Sequence, residues 1–119
     1  MRSRPEELRD RTKAFALRVI RLFRSLPYKT DTQVLGKQLL RCGTSVAANY
    51  RAVCRARSKA EFVARLGIVA EEADEAVLWL ELLIESGILK SEMTEELLKE
   101  ARELAAILTA SRETARKAA

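Results

Sequence analysis

The sequence predicts an all-α fold, an antiparallel up-down-up-down four-helix bundle formed as a single domain over residues 1–119. Three observations carry this. Ala, Leu, Glu, Arg and Lys dominate while the chain holds only four Gly and two Pro, the composition of long helices rather than of a sheet broken by turns. Apolar residues recur at i, i+4 and i+7 through four stretches of about 20 to 30 residues. Stop signals separate those stretches at Leu26-Pro27-Tyr28, at Arg57-Ser58 and at Gly87. Connections this short leave consecutive helices antiparallel, and 119 residues suffice for one core and not for two.

The first helix is predicted at about residues 5–25. Pro5 suits the first turn, where a missing N–H costs nothing, and Glu6 and Glu7 sit at the positive end of the macrodipole. Leu8, Thr12, Phe15, Val19, Leu22 and Leu26 form an apolar stripe, widened by Ala16 and Phe23. Arg9, Lys13, Arg18, Arg21 and Arg24 spread over the opposite arc, with Leu17 and Ile20 among them as candidate contacts to another subunit. Pro27 cannot continue the hydrogen-bond ladder and ends the helix.

The second helix is predicted at residues 31–56, capped by Thr30 or Asp31. Its stripe is Leu35, Leu39, Cys42, Val46, Tyr50 and Val53, flanked by the small residues Gly36, Gly43 and Ala47. A helical Gly costs roughly 1 kcal/mol relative to Ala, so two of them point to a closely packed neighbour. Lys37, Arg41, Arg51 and Arg55 fall within about 80° of arc at 100° per residue, the cleanest basic stripe in the chain. Asn49 lies at the edge between the two faces, its amide bonding across helices, fixing a partner subunit or satisfied by water.

Ser58 followed by Glu61 is a capping box that starts the third helix, predicted at 59–86, and Gly87 supplies a left-handed stop. Phe62, Leu66, Val69, Ala73, Val77, Leu80 and Ile84 make its core stripe. A second apolar set, Ile68, Trp79, Leu82 and Leu83, points the other way beside Glu71 and Glu75, and is the predicted oligomer interface. The last helix is predicted at 92–116, capped by Ser91, with Leu97, Ala101, Leu104 and Leu108 as its core stripe and Leu98 and Ala105 broadening it. Its first turn is acidic and its last basic, in agreement with the dipole, and after Ser111 the chain is expected to fray or extend as a basic tail.

The net charge of +5 conceals an asymmetry: residues 1–57 hold fourteen Lys/Arg against four Asp/Glu, whereas residues 58–119 hold eight against thirteen. Such a chain has an anionic partner on one face or associates with itself through unlike faces. Cys42 and Cys54 lie about 18 Å apart along one helix, beyond disulfide reach, and are read as buried thiols. With no His, a His-based metal site or general base is excluded, and neither metal nor cofactor is expected. Glu71, Glu72, Asp74 and Glu75 line one helix surface instead of facing each other across a cleft, so they form an acidic patch, not an acid/base pair. No Gly-rich phosphate loop, nucleophile elbow, CxxC or HExxH occurs. Neither a membrane span nor a secretory signal is visible, which gives a cytoplasmic location as the expectation.

The run from Asn49 through Arg51, Arg55, Arg57, Ser58 and Glu61 to Phe62, followed by Leu66-Gly67-Ile68-Val69, Glu72-Ala73-Asp74-Glu75, Trp79-Leu80-Glu81 and Ser111-Arg112-Glu113-Thr114-Ala115, resembles the four-helix bundle proteins encoded in intervening sequences of bacterial 23S ribosomal RNA genes. That family in turn looks related to the accessory variability protein of diversity-generating retroelements, which works with a reverse transcriptase. The resemblance implies a ring-like homo-oligomer, a pentamer, with basic outer surfaces and no catalytic residue to carry over. The acidic C-terminal half departs from a uniformly basic surface.

The resulting expectation is a non-enzymatic oligomeric accessory protein that binds RNA or DNA, acting with a reverse transcriptase. Lys37, Arg41, Arg51, Arg55 and Arg57, with Arg18 and Arg21 of the first helix, would contact phosphates. The alternative is a protein–protein interaction scaffold whose basic face docks an acidic partner, or the Glu71/Glu75 patch of a neighbouring subunit.

Overall fold

The computed structural model describes residues 3–118 and consists of four helices, α1 (Arg4–Ser25), α2 (Thr30–Cys54), α3 (Lys59–Glu85) and α4 (Glu92–Lys117). Contacts across each seam fix their directions. Gly36 lies against Phe23 and Leu26 while Gly43 lies against Val19, so α1 and α2 run antiparallel. Arg41 meets Glu75 between α2 and α3, and Arg102 meets Glu81 between α3 and α4. Arg11 of α1 closes the bundle by forking onto Glu100 at 2.6 and 2.7 Å and reaching Glu103 at 3.1 Å. These bonds raise the pKa of the Arg11 guanidinium, the one to Glu100 most. Up-down-up-down order therefore gathers the starts of α1 and α3 with the ends of α2 and α4, and the bundle is 49 Å long.

Local chemistry sets the helix ends. Ser3 Oγ accepts from Glu6 N at 3.3 Å, with Pro5 in the first turn of α1. Helix α2 starts at Thr30, one residue before the predicted 31, with Lys29 as the extended N-cap and no side chain capping it, and it ends at Cys54, two residues short of the predicted 56. The Lys29 N–H bonds Pro27 O at 3.0 Å, closing the turn early enough to place the boundary there. Asp31 instead accepts from Thr32 N at 2.8 Å inside the first turn. At α3, Ser58 Oγ accepts from Glu61 N at 3.0 Å, and the Glu61 carboxylate reaches back to Arg57 N at 2.8 Å, a capping box displaced by one residue. Gly87 at φ +85° ends the segment. Ser91 occupies the N-cap of α4, but its hydroxyl is shared with Thr94 Oγ1 at 2.8 Å, not with a backbone N–H.

Past Ser111 the chain is helical, to one residue beyond the predicted end at 116. Helix α4 continues to Lys117, supported by the Arg116–Glu113 pair at 2.8 Å and by Arg112, half-buried across Gly67 of α3. The core is aliphatic around Phe15, with Val19, Leu39, Val46, Leu66, Val69, Leu80, Leu104 and Leu108 fully enclosed. Two stripe assignments on α3 change. Phe62 is 37% exposed because it stands in the first turn of α3, where the bundle ends, and Ile84 is half-buried.

Candidate nucleic-acid interface

The helix order determines what meets at the end formed by the starts of α1 and α3. Arg4 and Arg9 come from α1, Arg51 and Arg55 from α2, Arg57, Lys59 and Arg65 from the turn and first part of α3, and Arg112, Arg116 and Lys117 from α4. Of the carboxylates at this end, Glu6 and Glu7 in the first turn of α1 enter no ion pair among the described residues, whereas Glu61 and Glu113 are engaged. Glu61 accepts from Arg57 N and from Arg65 Nε at 2.9 Å, which holds its pKa below the usual carboxylate value, chiefly through the Arg57 backbone bond. Glu113 is held down in the same way, first by Arg116.

Two hollows mark this end. One, of about 370 Å³, is lined by Arg9, Arg51, Cys54 and Arg55. The other, of about 310 Å³, is lined by Ala52, Arg55, Arg57, Glu61 and Arg65, so Arg55 borders both. The guanidinium groups of Arg9, Arg51 and Arg55 enter no ion pair among the described residues. Like charges packed at this density repel one another, and an anion placed among them relieves the repulsion. Cys54, expected to be buried, is exposed on the Arg9 side of this end, whereas Cys42 is buried. Tyr50 is buried beneath, its pKa pushed up to about 12 by burial and then by Cys54, with Arg4 and Arg9 opposing.

The other predicted phosphate contacts do not join this cluster. Lys37 is exposed but lies at the far half of α2, in a hollow with Tyr28, Lys29 and Val34, about 21 Å along the axis from Arg51. Arg41 is not free: it donates to Glu75 at 2.9 Å and to Gln38 at 3.2 and 3.3 Å. Arg18 and Arg21 turn away from the α2 stripe and line the groove between α1 and the start of α4. Arg9, which sequence reasoning did not assign, takes their place, and Arg65, also unassigned, stands beside the cluster but is paired with Glu61. The signal for them was available in the short turns, which require the first turns of α1 and α3 to share an end with the last turn of α2.

The predicted oligomer surface is also redistributed. Leu83 is fully buried in the protomer core and cannot be a subunit contact, because it lies on the same side of α3 as Ala76 and Leu80. Trp79 is half-buried against that core, and its indole N–H is enclosed without a hydrogen-bond partner. Glu75 is occupied within its own protomer by Arg41 and by the Cys42 thiol, whose Sγ stands 3.3 Å from Oε2. Burial, with Glu75 next, pushes the Cys42 pKa up to about 11, while the Cys42 bond first and Arg41 second pull Glu75 down. Asn49 Nδ2 donates to Glu72 at 2.7 Å, so it is a cross-helix strut. Glu71 remains at the surface, in a hollow with Asp74 and Arg112. Ile68 and Leu82 do face outward, at 52% and 38% exposure, joined by the unpredicted Val34 and Leu78. No helix among the described residues is long and apolar enough to cross a membrane.

Comparison with known proteins adds to this geometry. A family model described as 23S rRNA-intervening sequence protein matches residues 6–110. The crystal structure of a protein of unknown function from the S23 ribosomal protein family of Bacteroides thetaiotaomicron is similar at 32% identity and a TM-score of 0.84, covering 93% of this chain and 99% of that one. Comparison with curated proteins gives no match.

Proposed function

We propose, from the premise that the chain belongs to the 23S rRNA-intervening sequence protein family, that it is a non-enzymatic accessory protein that binds RNA or DNA through the basic end of its bundle. The observation that carries this reading is the convergence of Arg9, Arg51 and Arg55, without carboxylate partners among the described residues, beside Arg57 and Arg65. Guanidinium groups in such an array act on phosphates through charge and counterion release, so binding is steeply salt-dependent and weakly selective among bases. The scarcity of aromatic residues supports backbone contact over base stacking.

The working form is a homo-oligomer, a pentameric ring, assembled through the outward apolar residues Ile68, Leu78 and Leu82. A ring repeats the basic end and multiplies individually weak contacts through effective concentration. In this reading the protein is cytoplasmic and serves a reverse transcriptase, an extension that rests on the resemblance to the retroelement accessory protein alone.

The test is fluorescence anisotropy with a labelled RNA hairpin and a DNA duplex across a salt series. Arg51→Glu combined with Arg55→Glu is expected to weaken binding at least about tenfold and to flatten the salt slope by roughly one unit for each phosphate no longer neutralised. Unchanged affinity in a variant of intact helicity overturns the reading. In that case the same surface is assigned to an acidic partner protein.

A further inference from the structure

The groove between α1 and α4 holds the two arginines that the basic end leaves unused. Below the Arg11–Glu100 closure the seam opens into a cavity of about 290 Å³, between Arg18, Arg21, Leu22 and Ser25 of α1 and the first turns of α4. Its floor is apolar, made by half-buried Leu22 and buried Leu97, with buried Thr94 beside them and Met93, 78% exposed, at its rim. Arg18 and Arg21 enter no ion pair among the described residues, although Glu96 lines the same cavity from α4.

We infer that this cavity binds an α-carboxylate bearing an aliphatic side chain, either a free amino acid or the C-terminal residue of a polypeptide. Three features select that chemistry. Arg18 and Arg21 both line the cavity, and a guanidinium group supplies the fork of N–H donors that a carboxylate accepts. The volume lies at or below the lower end of the usual range of about 300–1,000 Å³ for drug-sized pockets, and the leucine-lined floor suits one aliphatic side chain. Glu96 repels a simple anion and can accept a hydrogen bond, which favours a ligand that presents an N–H next to its carboxylate, as amino acids and chain ends do. A nucleic-acid backbone offers neither an aliphatic group nor that N–H, and the cavity lining contains no aromatic surface for a base. The exposed thioether of Met93 adapts to side chains of different shape.

Isothermal titration calorimetry with L-leucine, N-acetyl-leucine and leucinamide tests the assignment on the full chain. Leucine or N-acetyl-leucine is expected to bind at least about tenfold more tightly than leucinamide, which lacks the carboxylate, and Arg18→Ala with Arg21→Ala is expected to remove about tenfold or more of that affinity. Tighter binding of leucine assigns a free amino acid, and tighter binding of N-acetyl-leucine assigns a chain end. Equal binding of leucinamide, an unaltered affinity in the double variant, or no heat from either acid at about 10 mM overturns the inference. The leucinamide comparison uses the unaltered protein and is independent of how the variant folds. Nucleic-acid binding, measured in parallel, is expected to be unchanged by leucine.

Discussion

Replacing Gly43 by alanine sets two effects of similar size against each other, and the structure decides between them. Alanine gains about 1 kcal/mol of helix propensity over glycine. A Cβ at position 43, however, would lie 2.8, 2.9 and 3.1 Å from Cγ2, Cγ1 and Cβ of Val19. Val19 is fully buried and β-branched, so its χ1 is stiff, and its Cβ moves only with the α1 backbone. Relief requires α1 and α2 to separate, and overpacking of this kind costs about 1–3 kcal/mol. With three contacts near the backbone, the cost lies toward the upper end, for a net loss of about 1–2 kcal/mol and a fall in Tm of about 3–10 °C.

Gly67→Ala is the matched control. Its Cβ would meet Arg112 Nε at 2.9 Å, an enclosed atom but one in a flexible side chain, not in backbone, so the side chain shifts and only part of the propensity gain of about 1 kcal/mol survives as added stability. Urea and thermal denaturation of both variants, with Val19→Ala alone and combined with Gly43→Ala, provide the assay. The combination is expected to cost less than the sum of its parts by about 1 kcal/mol. Gly43→Ala as stable as the parent protein, or both glycine variants shifting in the same direction, refutes the argument from close approach.

Asn49→Ala strands the half-buried Glu72 carboxylate and is expected to cost about 1–2 kcal/mol in urea denaturation, with a smaller added cost when Glu72→Ala is combined with it. Arg11→Lys keeps the charge but cannot form the fork onto Glu100; because Arg11 is partly solvated, the expected loss is about 1 kcal/mol or less, with faster amide exchange along the α1–α4 seam as the more sensitive readout. Ile68→Glu with Leu82→Glu is expected to yield monomers in light scattering while helicity is retained, and an unchanged assembly size would remove the outward apolar face of α3 as the subunit contact. The pKa shifts predict pH limits on both sides. Glu75, shifted down, contributes stability that is present above about pH 4.5 and lost as pH falls through its folded value. Cys42, shifted up, contributes stability that is present below about pH 9 and lost as pH rises through about 11, so Cys42→Val is expected to shrink the alkaline fall in Tm.

Helix boundaries were legible where a side chain fixes them. Ser58 and Glu61 mark the start of α3 because both oxygens have backbone N–H targets, while Thr30 and Asp31 misled because Pro27 had already closed the turn. The stripes of α1, α2 and α4 stand out from their polar arcs despite the exposed Leu17, Val34 and Met93. Helix α3 carries apolar residues on several sides, so periodicity could not tell Leu83, in the core, from Leu82, at the surface. Charge was the least legible property. Spacing placed Arg41 on the basic stripe, but its pairing depends on Glu75, thirty-four residues away. Spacing likewise put Arg18 and Arg21 on an exposed arc without revealing that the arc faces α4. Such facts belong to pairs of helices, and a single-helix projection contains none of them.

Because α1 begins and α4 finishes at the same extremity, Ser3 and Ala118 flank the arginine cluster on which the nucleic-acid reading depends. An affinity tag or fluorescent fusion joined next to Ser3 or Ala118 would lie near that surface, and a polyanionic one would act as a tethered competitor. The turn at Gly87 lies at the opposite extremity of a bundle 49 Å long. A reporter inserted there keeps its distance, so label placement alone could separate a real failure to bind from one made by the purification handle.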